Sequence, residues 1–149
     1  MECKADGLNW LFLSVIRKHH HLAQTLLSEL GLFRGQPPVL FVLWEKDGLT
    51  QTELSEKLGI RPATMTTILK RMEKSGFVER KPDLKDLRKS RVYLTKKGWY
   101  VKEPVEKALR KIEDESFGCF SPQEKMQFEN FLARMKESLD KAIDNLIAN

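Results

Sequence analysis

The segment LTQTELSEKLGIRPATMTTILKRMEKSGF, residues 49–77, predicts two short helices joined by a tight turn. Thr50 and Glu53 form a capping box, in which the hydroxyl and the carboxylate satisfy each other's backbone amides. The first helix is therefore predicted over residues 51–58. It ends at Gly59, because glycine readily adopts the left-handed conformation found at helix ends.

The second helix is predicted from Pro62, whose fixed φ suits a first helical position, to Ser75, with Gly76 as its stop. Its apolar residues recur at helical spacing and form one buried stripe: Met65, Ile68, Leu69 and Met72. Its polar residues form an outer face: Thr64, Thr67, Lys70, Arg71 and Lys74. Hydroxyl groups can contact base edges in the DNA major groove and cations bind phosphates, so this face has the chemistry of a recognition helix.

A hairpin is predicted after the second helix. Residues 77–81 and 91–94 are short β-rich runs, and the charged stretch 82–90 between them forms the tip. Residues 60–96 carry 11 Lys and Arg against 4 Asp and Glu, a net charge of +7 in a chain of net charge +5. The basic character therefore belongs to one contiguous quarter of the sequence, which favours a polyanionic partner.

Long amphipathic helices are predicted on both sides of this basic region. They cover residues 8–30, residues 95–118, and a last helix from the capping box at 121–124 to about residue 147. Residues 39–44 predict a short buried helix, with a strand as the alternative. The apolar stripes exceed what one small lobe can cover, which predicts a homodimer. The predicted dimerisation residues are Leu8, Leu11, Phe12, Val15, Leu132, Met135, Leu139 and Ile143.

Composition predicts a globular protein. The 149 residues are 41% hydrophobic and 32% charged, which is typical of one folded domain. The longest apolar runs are far shorter than the roughly 20 residues that span a bilayer. The first residues also lack the pattern of a secretory signal. We therefore expect a cytoplasmic protein with no membrane partner.

No residues in the sequence predict a metal, a cofactor or a catalytic site. Cys3 and Cys119 are interpreted as free thiols, because they are too far apart for a zinc site, and a redox role is left open. His19, His20 and His21 are consecutive, so on a helix they cannot converge on one metal. There is no phosphate-binding glycine loop and no nucleophile in a recognisable setting. The sequence therefore predicts no enzyme.

The two helices and the hairpin resemble the winged helix-turn-helix of the MarR (multiple antibiotic resistance regulator) family of bacterial and archaeal transcription factors. The similarity lies in LTQTELS (49–55), LGI (58–60), ATMT (63–66), GFVER (76–80), DLKDLR (83–88) and LTKKG (94–98). The order of the predicted elements also matches over nearly the whole chain.

The resemblance implies a mostly α-helical (α+β) fold in one domain, residues 1–149. Within it, a winged helix-turn-helix lobe with a two-stranded β wing covers 36–96, and dimerisation helices cover 1–35 and 97–149. The implied function is a sequence-specific, ligand-responsive repressor that binds a pseudo-palindromic operator in double-stranded DNA as a homodimer. The alternative is a winged-helix protein-interaction module without DNA binding, which would need a neutral or acidic outer face on the second helix.

The residues expected to contact DNA lie on the second helix and the wing. They are Arg61, Pro62, Ala63, Thr64, Thr66, Thr67, Lys70, Arg71, Lys85, Arg88, Lys89 and Arg91. By resemblance, Arg88 of the Asp-x-Arg motif enters the minor groove and Asp86 shapes the wing. Some relatives pair this arginine with an acidic residue just before the recognition helix. Here that position is Arg61, which is expected to meet Asp86 or a phosphate instead.

The resemblance also implies a small aromatic or phenolic effector. Four aromatic side chains either line its cavity or pack in the core: Trp10, Phe12, Phe33 and Trp44.

Overall fold

The computed structural model describes residues 7–148, and the chain divides after Arg110 into two units. The elements are α1 (Leu8–Ser28), α2 (Gln36–Glu45), β1 (Leu49–Thr50), α3 (Gln51–Leu58), α4 (Pro62–Lys74), β2 (Val78–Pro82), β3 (Ser90–Leu94), α5 (Lys96–Tyr100), α6 (Lys102–Phe117) and α7 (Pro122–Ile147). This is the mostly helical winged helix-turn-helix that the sequence predicts. Cys3 lies outside the described residues.

The two helices of the helix-turn-helix form as predicted. The Glu53 amide donates to the Thr50 hydroxyl at 3.2 Å, and the Thr50 amide donates to the Glu53 carboxylate at 2.7 Å. Gly59 ends α3 with φ +61°, a value that favours glycine. Pro62 then opens α4, so the turn between the helices is fixed by residues whose backbone preferences match it.

The sheet has three antiparallel strands in the order β1-β3-β2. The two predicted wing strands are present as β2 and β3, with Arg80 opposite Val92. The third strand, β1, was not predicted: Leu49 pairs with Val92 and Thr50 with Arg91. It joins the base of the wing directly to the start of α3.

The helices differ from the prediction most clearly at three places. The first helix ends at Ser28 rather than at residue 30. The second begins at Gln36 rather than at residue 39, because its first turn accepts prolines, whose missing amides need no partner there. The single helix predicted over 95–118 is two helices, α5 and α6, with Val101 between them.

One hydrophobic core fills the first unit. Its buried residues come from α2, α3, α4, the sheet and the segments beside them: Leu32, Val39, Leu40, Leu43, Leu49, Leu54, Met65, Ile68, Leu69, Met72, Phe77, Val78, Val92, Leu94, Val101 and Val105. All four residues of the predicted α4 stripe belong to it. Because one face of α4 is anchored in this core, its other face is held outward.

Gly98 is required where α5 meets the sheet. A Cβ at this position would lie 2.2 Å from the Phe77 carbonyl oxygen, whereas a Cβ on Gly59 would meet nothing within 4 Å. We expect Gly98→Ala to lower the free energy of unfolding by about 3 kcal/mol, because the backbone at Phe77 or in α5 must shift to make room for the new methyl group. Gly59→Ala should lower it by only about 1 kcal/mol, from backbone conformation alone. Chemical denaturation at one protein concentration measures both, and equal losses would contradict this packing.

The second unit contains the end of α6 and the whole of α7. The capping box predicted for α7 is present: the Ser121 amide donates to Glu124 at 2.8 Å, and the Glu124 amide donates to the Ser121 hydroxyl at 3.3 Å. The Phe128 ring lies 6.1 Å from that of Phe117 and 5.6 Å from that of Phe120. Over the described residues, none of the helices has the length and apolar character needed to cross a membrane.

Candidate nucleic-acid interface

The outer face of α4 carries most of the side chains predicted to contact DNA. The exposed residues at its start and along it include Arg61, Pro62, Ala63, Thr64, Thr67, Lys70 and Arg71. The Thr67 hydroxyl donates to the Ala63 carbonyl at 3.3 Å, which leaves its oxygen free to accept a hydrogen bond from a partner. This face therefore combines exposed hydroxyl groups with exposed cations.

Thr66 differs from its neighbours, because its half-buried hydroxyl is used inside the protein. It donates to the Pro62 carbonyl at 3.0 Å and accepts from the Gln51 side-chain amide at 2.6 Å. The Gln51 side-chain carbonyl accepts from Arg80 at 3.2 Å, and Arg80 is paired with Glu73 at 3.1 Å. These contacts tie α3, α4 and β2 together. Thr66 was predicted to contact DNA; these contacts show that its hydroxyl also helps to hold α4 against α3, a role that sequence spacing did not reveal.

The wing loop, residues 83–89, is organised by the buried carboxylate of Asp83. This carboxylate accepts from the amides of Lys85 at 2.7 Å and Asp86 at 3.1 Å, while the Asp83 amide donates to the Lys89 carbonyl at 2.9 Å. The hydrogen bond from the Lys85 amide is the main reason why the pKa of Asp83 lies below its ordinary value. Asp83 was predicted only as one of the few acids in a basic segment and as the first residue of the wing segment DLKDLR; its role in ordering the loop was not predicted.

Arg91 connects this loop to the start of α3. Its guanidinium donates to the carboxylate of Asp83 and, at 2.8 Å, to the Gly48 carbonyl, and it lies 3.8 Å from the Glu53 carboxylate. The hydrogen bond to Asp83 raises the pKa of Arg91 above its ordinary value. Arg91 was predicted to contact DNA, and the structure places it, half-buried, at the base of the wing. Its partners there would compete with a phosphate.

The exposed cations of the wing loop are Lys85, Arg88 and Lys89. The Asp86 carboxylate accepts from the Arg88 amide at 3.1 Å and lies 3.7 Å from the Lys89 ammonium. These contacts are local to the loop and leave the Arg88 guanidinium exposed. An open groove of about 610 Å³ lies between the loop and the start of α3, with Lys85 and Arg88 on one side and Thr52 on the other. Cations from the wing therefore line a space beside the helix-turn-helix.

The residues predicted to form the dimer lie on two helices with exposed apolar side chains. On α1, Leu8, Leu11 and Val15 are exposed and Phe12 is half-buried. On α7, the corresponding set is Leu132, Leu139 and Ile143, with Met135 half-buried. In the described part of α7 no residue is fully buried by the single chain. Both helices thus present apolar faces that the single chain leaves open to water.

The four aromatic side chains that were predicted to line an effector cavity or to pack in the core take different places. Trp44 packs against the core, and its indole donates to the Gly98 carbonyl at 2.9 Å. Trp10 and Phe33 are exposed, and Phe12 is half-buried. Cys119 is an exposed free thiol. Across residues 7–148, no cluster of three His, Cys, Asp or Glu side chains is arranged to hold a metal ion.

Comparison with known proteins shows to which family this chain belongs. The model of the MarR family matches residues 34–90. The regulator TtmR of Methylorubrum extorquens (strain PA1), an HTH-type transcriptional regulator, is 41% identical over 75 residues, which are 50% of this chain and 38% of TtmR. The HTH-type transcriptional regulator YwoH of Bacillus subtilis (strain 168), named as uncharacterized, is 31% identical over 106 residues, or 71% of this chain and 77% of YwoH. This chain belongs to the MarR family.

The likeness extends to the three-dimensional fold of the MarR family. The crystal structure of a MarR transcriptional regulator from Methanosarcina mazei Go1 has a TM-score of 0.73 and 27% identity, covering 90% of this chain and 96% of that one. The chain spans about two fifths to one half of the length of the first curated relatives it matches. The relatives are named as transcriptional regulators, which confirms the prediction that this MarR-family chain is not an enzyme.

Arg61 was expected to meet either Asp86 or a phosphate. Asp86 was one expected partner, but the described residues show its carboxylate within ion-pair distance of Lys89 and not of Arg61. Arg61 is exposed immediately before α4. Of the two expected partners, a phosphate is the one that this position leaves open.

Asp83→Asn tests the organisation of the wing. We expect the variant to exchange the Lys85 and Asp86 amide protons about tenfold faster at neutral pH, because a charged acceptor is replaced by a neutral one. Since the native pKa of Asp83 is lowered, its contribution is present above the unfolded pKa and is lost as the pH falls through the native pKa. In the native protein the same amides should therefore lose protection only in acid.

Amide exchange measured by NMR checks this expectation. Glu79→Gln is the matched control, because it removes an exposed carboxylate of β2 that pairs with Lys81 outside the loop. Unchanged exchange in Asp83→Asn would show that the charge of Asp83 does not organise the wing loop.

Proposed function

We propose that this protein is a sequence-specific DNA-binding transcriptional regulator that acts in the cytoplasm. The observation that carries the proposal is the distribution of exposed cations, from the outer face of α4 to the tip of the wing. A net charge of +7 lies in residues 60–96 while the rest of the chain is slightly acidic. Membership of a family of transcriptional regulators supports the same function.

In this proposal α4 enters the major groove and the wing reaches the adjacent minor groove. Thr64 and Thr67 face base edges, whereas Lys70 and Arg71 neutralise phosphates. Arg88 enters the minor groove, where the negative potential favours an inserted arginine. The exposure of all five side chains supports these roles.

We further propose that the protein binds as a homodimer to a pseudo-palindromic operator. The exposed apolar faces of α1 and α7 are the surfaces that a second copy would cover. A twofold dimer presents two recognition helices, and these match two half-sites of an inverted repeat.

The salt dependence of binding tests the electrostatic basis of the function. If Arg61, Lys70, Arg71, Lys85 and Lys89 of each subunit neutralise one phosphate each, log affinity should fall against log salt concentration with a slope of about −9. Fluorescence anisotropy with a labelled duplex measures this slope. A flat response, or no binding, would contradict DNA recognition and favour the alternative of a protein-interaction module.

The regulation proposed here is relief of repression by a small aromatic or phenolic effector. Effector binding would change the separation of the two recognition helices, so that they no longer fit successive major grooves about 34 Å apart. Small-angle scattering with and without an effector that releases DNA checks this mechanism. Identical spacing of the two lobes in both states would overturn it.

A further inference from the structure

Two leucines at the tip of the wing are largely exposed to water. Leu84 is 98% exposed, the highest value among the large apolar side chains of the described residues, and Leu87 is 81% exposed. Large apolar side chains gain free energy when they leave water, so two of them at a loop tip indicate a surface that is covered in another state.

The loop that carries these leucines is held in shape by hydrogen bonds. The Asp83 carboxylate accepts from the amides of Lys85 and Asp86, and the Asp86 carbonyl accepts from the Lys89 amide at 2.9 Å. The Asp83 amide closes the loop onto the Lys89 carbonyl. The leucines are therefore presented on an ordered turn, which reduces the entropy lost when a partner covers them.

Charge around the tip identifies the partner. Lys85 and Asp86 lie between the two leucines in sequence, and Arg88 and Lys89 follow directly. The three cations are exposed, and against Asp83 and Asp86 they leave the tip with a net positive charge. A surface that combines leucines with cations fits a partner in which an apolar surface lies next to closely spaced negative charges. The DNA minor groove has this combination, because the C–H groups of its deoxyribose walls lie between two rows of phosphates. Its width of about 6 Å brings side chains that enter it close to these walls.

We propose that Leu84 and Leu87 contact the deoxyribose walls of the minor groove and widen it locally when the wing binds. This inference rests on the proposed DNA-binding function. Minor-groove proteins use apolar side chains, leucine among them, as wedges that deform the duplex. The leucines then add affinity that does not depend on salt, beside the salt-dependent contribution of the cations. They also favour operators whose steps are easily deformed under the wing.

The experiment compares Leu84→Ser and Leu87→Ser with Leu84→Met and Leu87→Met, which retain apolar bulk. The probe is a duplex that the native full-length protein selects from a random pool, labelled at both ends for energy transfer. We expect each serine variant to bind about fivefold more weakly, with an unchanged salt slope and a smaller change in end-to-end distance. The methionine variants should stay within about twofold of the native protein.

The possible failures are distinguishable. If the native protein binds no duplex, the proposed function fails and this inference fails with it. If the native protein binds and the serine variants bind and deform the duplex equally well, only the inference is overturned. The inference is also overturned if the methionine variants lose as much affinity as the serine variants. A lower sedimentation mass of the serine variants would assign the leucines to a contact between chains instead.

Discussion

A chain carrying Leu139→Asp is expected to sediment at half the native mass and to bind its operator at least 100-fold more weakly. Leu139 is 53% exposed on α7, so an aspartate there remains hydrated in the single chain and leaves its fold intact. In a dimer the same carboxylate would be buried without a partner, which is strongly unfavourable. A monomer lacks the gain in affinity that comes from binding two linked half-sites, and this gain is about 100- to 10,000-fold.

Analytical ultracentrifugation and anisotropy on the same samples measure the two effects. Leu139→Met is the matched control, because it changes the shape of the side chain but keeps it apolar. We expect it to preserve both mass and affinity. A native mass for Leu139→Asp would exclude this face of α7 from the dimer interface.

Arg88→Ala is expected to weaken operator binding about 100-fold while leaving dimerisation unchanged. The Arg88 backbone amide, rather than its side chain, donates to Asp86, so truncation of the guanidinium keeps the shape of the loop. Removal of one arginine from a DNA groove weakens the binding free energy by about 1–3 kcal/mol, and a dimer loses two such arginines. The effect should be largest for the native operator and smaller for unrelated DNA.

The matched control for Arg88→Ala is Arg110→Ala, which removes the same charge from an exposed position of α6. If loss of positive charge alone weakens binding, both variants will be affected equally, and the wing would have no particular role. If Arg88 acts in a groove, only Arg88→Ala will show the large effect.

The features that the sequence predicted well are those determined by neighbouring residues. The capping box of Thr50 and Glu53 and the stop at Gly59 depend on interactions within a few residues, so their pattern identifies α3 without knowledge of the fold. The two-residue strand β1 depends instead on pairing with β3 more than 40 residues away, and it is too short to show alternation.

In the candidate site, too, local features could be predicted and features that depend on distant residues could not. Charge and spacing identified the exposed face of α4 and the cations of the wing. They could not separate the exposed Arg88 from Arg91, because two of the three partners of Arg91, Gly48 and Glu53, are far from it in sequence. Nor could they distinguish Asp83, which organises the loop, from the other acids of the basic segment. Sequence patterns thus predict the chemistry of this surface, and the fold determines which groups already have partners.

Selection of bound duplexes from a random DNA pool by the native full-length protein tests the central claim most directly. We expect enrichment of an inverted repeat whose half-sites are centred about 10 base pairs, or one turn of DNA, apart. Enrichment of no sequence, or of a single motif without a repeat, would contradict a dimer that places two recognition helices on DNA.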